Sequence, residues 1–322
     1  MRRILGPLLF GLGAFLLVVG LLLRFYAYPR VATAPIDQNS VTKLEATDAT
    51  LFDAGTLSEI TTDLAVQSRT VGDVEASEEE GNNVRVWVNT VSIRSDDGVI
   101  RSRSAERTPF DGYTAEAVNC CGAFDETTEG EREEVTRKGL VFKFPFNTEK
   151  KSYLLWDGSL GDTITAKYVK ESEVQGLKVY EFHAEVPRTQ VGTREVPASV
   201  VGEPGTGNVE AESWYAADKT YLIEPRTGAI VDQKLGQNNT LGVDGEDRVT
   251  TTKATLEYSK ATVDKNVEDF SSKATLVSWV HTIGPIVAVV LGLILLALGG
   301  IFLRRRDDTP SSPSASLDTA KV

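Results

Sequence analysis

Two long, uncharged apolar runs constrain this chain more than any other feature. Residues 4–23 (ILGPLLFGLGAFLLVVGLLL) and residues 282–303 (TIGPIVAVVLGLILLALGGIFL) contain no acidic or basic side chain. A helix of about 20 apolar residues spans roughly 30 Å, the thickness of the hydrocarbon core of a bilayer. A helix packed on a soluble core would show a polar face over that length. Each run therefore predicts a transmembrane helix.

A cleaved signal peptide is the alternative interpretation of the first run. Arg2 and Arg3 precede this run, and Ala32-Thr33-Ala34 imitates a cleavage site. The run is, however, longer than the roughly 7–15 apolar residues of a signal peptide. The Ala-Thr-Ala sequence also lies well beyond Leu23 and is followed by Pro35. We expect the first helix to be retained as a membrane anchor.

Basic residues beside the apolar runs predict the orientation in the membrane. Arg2 and Arg3 precede the first run, and Arg304, Arg305 and Arg306 follow the second directly. Flanks rich in lysine and arginine stay in the cytoplasm. We therefore expect a two-pass plasma-membrane protein with both termini in the cytoplasm and residues 24–281 outside. Residues 304–322, rich in serine, threonine and proline, are expected to form a disordered cytoplasmic tail.

Small residues recur at regular intervals along each apolar run. They are spaced by seven positions in the first run and by four in the second: Gly6, Gly13, Gly20, Gly284, Ala288 and Gly292. Ridges of small residues let helix backbones approach closely in lipid, so we expect the two helices to pack along them. Glycine is also common in membrane helices in general, and the spacing alone leaves that alternative open.

The segment between the runs, residues 24–281, is predicted to form a β-rich domain. It holds 43 of the 46 acidic residues and 28 of the 34 basic ones, a net charge of −15. Alternating patterns such as residues 83–94 (NVRVWVNTVSIR), and turn signals such as Gln175-Gly176 and Pro225 to Gly228, indicate antiparallel strands. The predicted fold class is α+β, an extracytoplasmic antiparallel sheet or sandwich flanked by N- and C-terminal transmembrane helices. Residues 260–281 are predicted to be helical and to lead into the second run.

Signatures of catalysis and of nucleic-acid binding are missing from the sequence. It contains no P-loop, G-x-S-x-G or H-E-x-x-H motif, and its two histidines, His183 and His281, lie far apart. His183 falls in a predicted strand and His281 at the membrane boundary. A net charge of −12 argues against a general nucleic-acid binder, which needs clustered lysine and arginine. We predict a protein that is not an enzyme and uses no metal or other cofactor.

Two acidic segments, residues 125–134 and 244–247, could offer carboxylates to a hard cation such as Ca²⁺. Neither has the alternating ligand spacing or the glycine of an EF-hand loop. We interpret both segments as solvated loops.

Cys120 and Cys121 are adjacent and are followed by Gly122. By the predicted topology they face an oxidising compartment, where cysteine pairs form disulfides. Neighbouring cysteines can join only through a strained eight-membered ring that includes the peptide between them. We expect a structural vicinal disulfide. Two free buried thiols, or links to another chain, are the alternatives.

Three segments of the middle region carry a resemblance to a known family. They are residues 139–157 (GLVFKFPFNTEKKSYLLWD), 173–186 (EVQGLKVYEFHAEV) and 221–233 (YLIEPRTGAIVDQ). Together with the two-helix layout they resemble the PorA family of actinobacterial, porin-like envelope membrane proteins. The resemblance covers nearly the whole chain except the tail. It implies an envelope location and supplies no catalytic residue.

Three functions follow as hypotheses. The first is a non-enzymatic envelope protein whose outer domain binds or conveys a hydrophobic ligand, such as a lipid or glycolipid; its ligand-binding residues are unknown. The two-helix layout is analogous to that of the CD36 scavenger-receptor family at the level of fold alone. The second is a scaffold that contacts other envelope proteins. The third is a porin-like channel subunit, whose pore would have to form by oligomerisation of the helices. Against this, Thr282 is the only polar residue of the two runs that could line water.

Overall fold

The computed structural model describes the backbone of residues 2–304 and the side chains of residues 4–303. The predicted tail, including Arg305 and Arg306, lies outside the described residues, as do the side chains of Arg2, Arg3 and Arg304. The chain divides into two compact units. One consists of the N-terminal helices up to Val31 and the C-terminal helix from Leu276 onward, and the other is Ala32–Thr275.

A long series of strands lies between the helices at the two ends of the chain. In chain order they are α1 (Arg2–Leu22), a π-helical segment (Leu23–Ala27), α2 (Tyr28–Val31), β1 (Asn39–Asp53), β2 (Ser58–Gly72), α3 (Val74–Glu80), β3 (Val84–Ser95), β4 (Ile100–Asp111), β5 (Phe124–Thr128), β6 (Glu131–Glu134), β7 (Tyr153–Asp157), β8 (Asp162–Val174), β9 (Leu177–Pro197), a 3₁₀ turn (Ala198–Val201), β10 (Asn208–Glu224), β11 (Ala229–Val243), β12 (Glu246–Tyr258), α4 (Lys260–Ser278), a second π-helical segment (Trp279–Ile283) and α5 (Gly284–Arg304).

The terminal helices agree with the predicted apolar spans. Two helical stretches, Ile4–Val31 and Lys260–Leu303, are long and apolar enough to cross a membrane. The second begins with α4, so the expected helix before the second apolar run is confirmed. A π-helical segment interrupts each stretch, Leu23–Ala27 in the first and Trp279–Ile283 in the second.

The twelve strands form one antiparallel sheet, in the order β6-β5-β4-β3-β2-β1-β12-β11-β10-β9-β8-β7. This confirms the α+β class and the antiparallel sheet, and decides against the two-sheet sandwich within the described strands. The predicted turns at 175–176 and 225–228 connect β8 to β9 and β10 to β11. The first and last long strands are neighbours, since Leu44 of β1 pairs with Tyr258 of β12.

The interpretation of residues 125–134 as a loop is wrong. They lie largely in β5 and β6, a hairpin in which Asp125 pairs with Glu133 and which joins β4 through the pairing of Glu106 with Asp125. Arginines pair with two of its six carboxylates: Arg132 binds Glu126 at 2.8 Å, and Arg137 binds Asp125. The short helix α3 was also not expected. Its start is stabilised by Asp73, which accepts a hydrogen bond from the Ala76 amide.

Irregular segments close the sheet on itself. Isolated antiparallel bridges join Phe110 of β4 to Ala117 and Glu116 to Leu140, and a parallel bridge joins Leu140 to Leu155 of β7. Backbone hydrogen bonds support the path, among them Ala117 N–H to the Gly139 carbonyl (2.9 Å) and Leu140 N–H to the Leu154 carbonyl (2.8 Å). Backbone pairing therefore runs in a ring from β4 back to β7, and we call this closed sheet the barrel.

Side chains alternate between the inside and the outside of the barrel, as strand geometry requires. On β2, Thr62, Leu64 and Val66 are buried. Asp63, between the first two, and Gln67, after the last, are exposed. The outer positions are mainly polar, which suits contact with water and does not suit contact with acyl chains. The outer surface of the barrel is therefore mainly polar, and the terminal helices are the membrane-spanning candidates.

An aromatic segment fills part of the barrel interior. Residues 139–148 carry Phe142 and Phe144, whose rings pack on the barrel wall: Phe144 lies 4.6 Å from Phe182, and Phe142 lies 5.3 Å from Trp87. We call residues 139–148 the plug segment. It passes so close to β11 that a Cβ on Gly228 would lie 2.0 Å from the Phe144 carbonyl oxygen, and Gly228 has a φ of 70°. Only glycine fits that position.

Candidate functional site

The small residues of the two apolar helices lie where these helices touch. A Cβ placed on Gly13 would lie 2.7 Å from the Gly292 carbonyl oxygen, and one on Gly20 would lie 3.4 Å from the Cβ of Ala288. A Cβ on Gly6 would lie 3.4 Å from Leu303 Cγ, and one on Gly284 would lie 3.2 Å from Leu23 Cδ1. The structure therefore brings all six predicted ridge residues to one helix pair.

Another glycine, Gly299, belongs to this contact and was not singled out by the spacing. A Cβ on it would lie 2.8 Å from the Phe10 backbone nitrogen. Such backbone-to-backbone approach leaves no room for water between the helices at these positions. A single helix pair consequently encloses no pore along this contact.

The two π-helical segments meet through polar and aromatic contacts. Arg24 Nη1 donates a hydrogen bond to the His281 carbonyl oxygen at 3.1 Å, and the Tyr28 and His281 rings lie 4.1 Å apart. Phe25 and Trp279 of the same segments are exposed. Aromatic and basic side chains at this level are typical of the membrane–water interface. His281 thus has a structural role in helix pairing.

A charged network crosses the inner wall at β2, β3, β4 and β5. Asn89 accepts a hydrogen bond from Ser68 Oγ at 2.7 Å and donates one to Glu106 Oε1 at 3.3 Å. Arg137 binds both Glu106 and Asp125, and its side chain is 2% exposed. Burial raises the pKa of Glu106 and of Asp125, against the opposing effect of Arg137. The single positive charge of Arg137 is therefore shared between two negatively charged carboxylates.

A second charged network joins β7 to β10. Asp157 Oδ2 accepts hydrogen bonds from Lys219 Nζ at 2.7 Å and from Tyr215 Oη at 3.0 Å. Its other oxygen accepts from the Ser159 and Leu160 amides. Burial, followed by the charge of Asp157, raises the pKa of Tyr215. Each carboxylate oxygen of Asp157 thus accepts two hydrogen bonds. We interpret this network as a structural crosslink between β7 and β10.

The plug segment holds a buried lysine, Lys143. Its Nζ lies 3.7 Å from the centre of the Phe146 ring and has no hydrogen-bond partner among the described residues. Burial lowers the pKa of Lys143 to about 7, although the carboxylates of Glu224 and Asp111 oppose the shift. The ammonium is thus held by a ring face and by distant carboxylates.

The adjacent cysteines form a disulfide in the structure. The bonded pair lies in a turn after the irregular segment that closes the barrel, and the turn is bound by Arg107, whose Nε donates to the Cys121 carbonyl oxygen at 2.9 Å. Arg107 also forms an ion pair with Asp73 at 2.7 Å. The turn and the start of α3 are therefore bound by the same guanidinium.

Replacing Asp73 with alanine should lower the free energy of unfolding by about 1–2 kcal/mol, because α3 loses its cap and Arg107 loses an ion-pair partner. The Ala76 N–H and, to a smaller extent, Arg107 hold the pKa of Asp73 below its usual value, against the effect of burial. Such a carboxylate adds stability above its unfolded pKa and loses it as the pH falls through the folded value.

The difference between wild type and Asp73→Ala should therefore shrink below about pH 4, as measured by urea unfolding of the full chain followed by circular dichroism. Glu79→Ala, at an exposed position of the same helix, is the matched control and should change stability by less than about 0.5 kcal/mol. An Asp73→Ala effect that is the same at pH 3 and pH 7 would contradict this account.

Neither histidine nor the second acidic segment forms a reactive centre. His183 lies on the outer face of β9, with Nε2 3.0 Å from Asp218 Oδ2 and both side chains solvent-exposed. Asp247 of the 244–247 segment accepts hydrogen bonds from Arg188 and Thr240, each at 2.7 Å. These carboxylates bind the chain's own donors, and neither arrangement gathers a nucleophile, a base and an oxyanion site.

Open grooves on the barrel surface have mixed linings, with apolar side chains beside polar and charged ones. Two of these grooves have volumes of about 580 and 590 Å³ and share Glu185, Val186 and Pro187. Their remaining walls include Asp48, Lys167 and Lys253. A lipid-binding cavity is expected to be mostly apolar, whereas these two grooves are lined about equally by polar and apolar surface.

Sequence reasoning missed the interior charges at Glu106, Arg137, Lys143, Asp157 and Lys219. Their local sequence does not distinguish them from surface charges. For all of them except Lys143, a charged or hydrogen-bonding partner is distant in sequence. Lys143 offered one signal, since it stands between phenylalanines in the stretch FKFPF. A lysine inside an aromatic run can mark a buried cation.

Comparison with known proteins identifies one family. The model of the family described as Porin PorA matches residues 5–301. A protein named Porin PorA from Corynebacterium amycolatum is 26% identical over 298 residues, which cover 72% of this chain and 76% of the relative. A second protein of that name, from Corynebacterium resistens, is 22% identical over 315 residues, with 73% and 76% covered.

Proposed function

The chain belongs to the PorA porin family, and on that premise we propose that it is a porin-like channel subunit of a bacterial cell envelope. The observation that carries the proposal is the family match over residues 5–301, together with the porin names of the two relatives. As a member of a porin family the protein is not an enzyme. Porin-like function, previously the third hypothesis, becomes the leading one.

The structure constrains how such a channel could be built. The barrel has a polar outer face, so it is unsuited to lie in the hydrocarbon layer as a membrane barrel. The two helices can span the membrane, yet they contact each other backbone to backbone at Gly13 and Gly292. The water path in our proposal therefore runs between several copies of the chain. In the same proposal the small residues of the helices hold each pair together within its copy.

The basic flanks support a specific orientation of the proposed channel. Arginines beside both apolar helices favour a cytoplasmic location for both termini, and in our proposal the barrel therefore lies outside the plasma membrane. An outer domain of net charge −15 would attract cations towards the channel mouth and repel anions. We therefore propose a channel that favours cations.

Full-length protein reconstituted into planar bilayers should produce stepwise conductance. Channel activity should rise more steeply than linearly with protein concentration, because several chains must assemble. Reversal potentials in a KCl gradient should show preference for K⁺ over Cl⁻, and this preference should weaken at high salt as the charges are screened. Heat-denatured protein is the control. Currents no larger than those of this control, at every protein concentration, would refute the channel proposal.

Two other hypotheses receive no specific support. A hydrophobic envelope ligand requires an apolar cavity, whereas the two grooves that share Glu185 have mixed linings and Phe144 and Phe182, inside the barrel, are fully buried. A scaffold role requires envelope protein partners, and among the described residues nothing indicates a particular one. Association with the lipid membrane through the two helices is common to all three hypotheses.

A further inference from the structure

We propose that Cys120 and Cys121, when reduced, form with Glu80 a binding site for a thiophilic divalent cation such as Zn²⁺. In the disulfide-bonded structure, one ligand atom from each residue lies within 4.8 Å of the others. Cys121 Sγ is 3.7 Å from Glu80 Oε2. Thiolate and carboxylate groups are both zinc ligands, and three protein ligands leave a fourth position for water. This inference is independent of the channel proposal.

The ligands come from two separate elements, which Arg107 holds together. Its guanidinium binds Asp73 at 2.7 Å and the Cys121 carbonyl oxygen at 2.9 Å. Asp73 in turn caps the start of α3 through the Ala76 amide at 3.1 Å, and α3 ends at Glu80. These contacts link the backbone of the cysteine turn to the start of α3 independently of the disulfide.

The cysteine turn is also held from its other side. Asn119 Nδ2 donates to the Arg137 carbonyl oxygen at 3.1 Å, and the Arg137 amide donates to Asn119 Oδ1 at 2.9 Å. Ala123, just beyond the turn, is buried. With anchors before and after the cysteines, we expect the turn to keep its place once the disulfide is reduced. The two thiols then remain beside Glu80.

Reduction converts the pair from a bonded form into two ligands. A dithiol reductant gives two electrons and two protons to the disulfide, which breaks the sulfur–sulfur bond, and the reductant itself becomes a cyclic disulfide. The cation then displaces one proton from each thiol. The cysteines are half-buried and Glu80 is exposed, so both reagents have access. The oxidised protein keeps one of the three ligands, Glu80, and should bind the cation weakly or not at all.

Zinc titration of the full chain tests the site. The protein is reduced with a dithiol, freed of reductant and metal under anaerobic conditions, and titrated with Zn²⁺ in competition with a chromogenic chelator. We expect one tightly bound Zn²⁺ per reduced chain and none per oxidised chain. Glu80→Gln should weaken binding at least tenfold, whereas Glu79→Gln, one residue away and exposed, should bind like wild type. Re-oxidation should release the metal.

A second variant separates this site from adventitious zinc binding. The double replacement Cys120→Ser and Cys121→Ser removes both thiols and should abolish tight binding under reducing conditions, with the circular dichroism spectrum unchanged. Equal zinc binding by this variant and by the reduced wild type would overturn the proposal. Equal affinity of Glu80→Gln and wild type would overturn the three-ligand site.

Discussion

Replacing Gly13 with leucine should separate the two apolar terminal helices. A Cβ at this position meets the Gly292 carbonyl oxygen at 2.7 Å and the Leu296 amide nitrogen at 2.8 Å. Both obstacles are backbone atoms, so no change of rotamer relieves the clash. Overpacking of this kind costs about 3 kcal/mol, which corresponds to a roughly hundredfold loss in the pairing equilibrium.

An intramolecular disulfide between Gly20→Cys and Ala288→Cys measures the pairing. A Cβ on Gly20 would lie 3.4 Å from the Cβ of Ala288, close to the separation of about 3.5–4.5 Å found in disulfides. The test uses a background in which Cys120 and Cys121 are serine. The bond should form readily in that parent and should be largely lost when Gly13→Leu is added.

Gly11→Leu is the matched control, because a Cβ on Gly11 meets nothing within 4 Å. It makes the same change two positions away on the same helix and should leave the crosslink intact. If Gly13→Leu and Gly11→Leu gave the same crosslinking yield, the small residues would have no part in pairing. If the channel proposal holds as well, Gly13→Leu should also reduce conductance.

Replacing Arg137 with methionine should destabilise the barrel by about 2–4 kcal/mol. The change leaves Glu106 and Asp125 without their shared cation, and breaking one side of a buried ion pair is costly. The side chains of Glu106 and Asp125 are 34% and 32% exposed, so solvent screens part of the charge left unpaired. We therefore expect a cost at the lower end of the range for a broken buried ion pair. Urea unfolding of the full chain in detergent, followed by circular dichroism, measures the difference.

Acid should partly rescue this variant. Burial already raises the pKa of Glu106 and Asp125 in the folded protein, and the loss of Arg137 should raise both further. A carboxyl whose pKa is higher in the folded than in the unfolded state destabilises the fold above that folded pKa and ceases to do so once it is protonated. The difference between Arg137→Met and wild type should therefore narrow as the pH falls from 7 towards 4.

Arg132→Met provides the matched control. Arg132 binds Glu126 in the same hairpin, but its side chain is 65% exposed, and an exposed pair contributes about 0–1 kcal/mol. Equal destabilisation by the two replacements would show that burial of Arg137 has no special role. A penalty for Arg137→Met that grows on acidification would contradict the assignment of two unpaired carboxylates.

The features predicted well are those that depend on neighbours in the sequence. A membrane span must be continuously apolar, so residues 4–23 and 282–303 could be recognised directly. Alternation along a strand and a Gln175-Gly176 turn are equally local. These signals were sufficient for the α+β class and the antiparallel sheet.

The features that escaped prediction depend on partners far away in the chain. The 125–134 segment looked too acidic for strands because Arg137, which neutralises Asp125, binds it only in the folded state. The closure of the barrel uses single backbone bridges at Ala117 and Leu140, which leave no periodic pattern. The contact of Glu80 with the cysteine pair likewise joins residues about 40 positions apart. Neither strand alternation nor a short motif predicts such long-range contacts.

The pairing of β1 with β12 has a consequence for the order of events during synthesis. Leu44 of β1 pairs with Tyr258 of β12, which is synthesised more than 200 residues later. Until then, that edge of β1 has no neighbouring strand. Ribosomes add about 5–20 residues per second, so the open edge of β1 persists for roughly 10–40 s. An unpaired edge is a template for aggregation. Because of this topology, the producing cell must protect the nascent chain from aggregation during this interval.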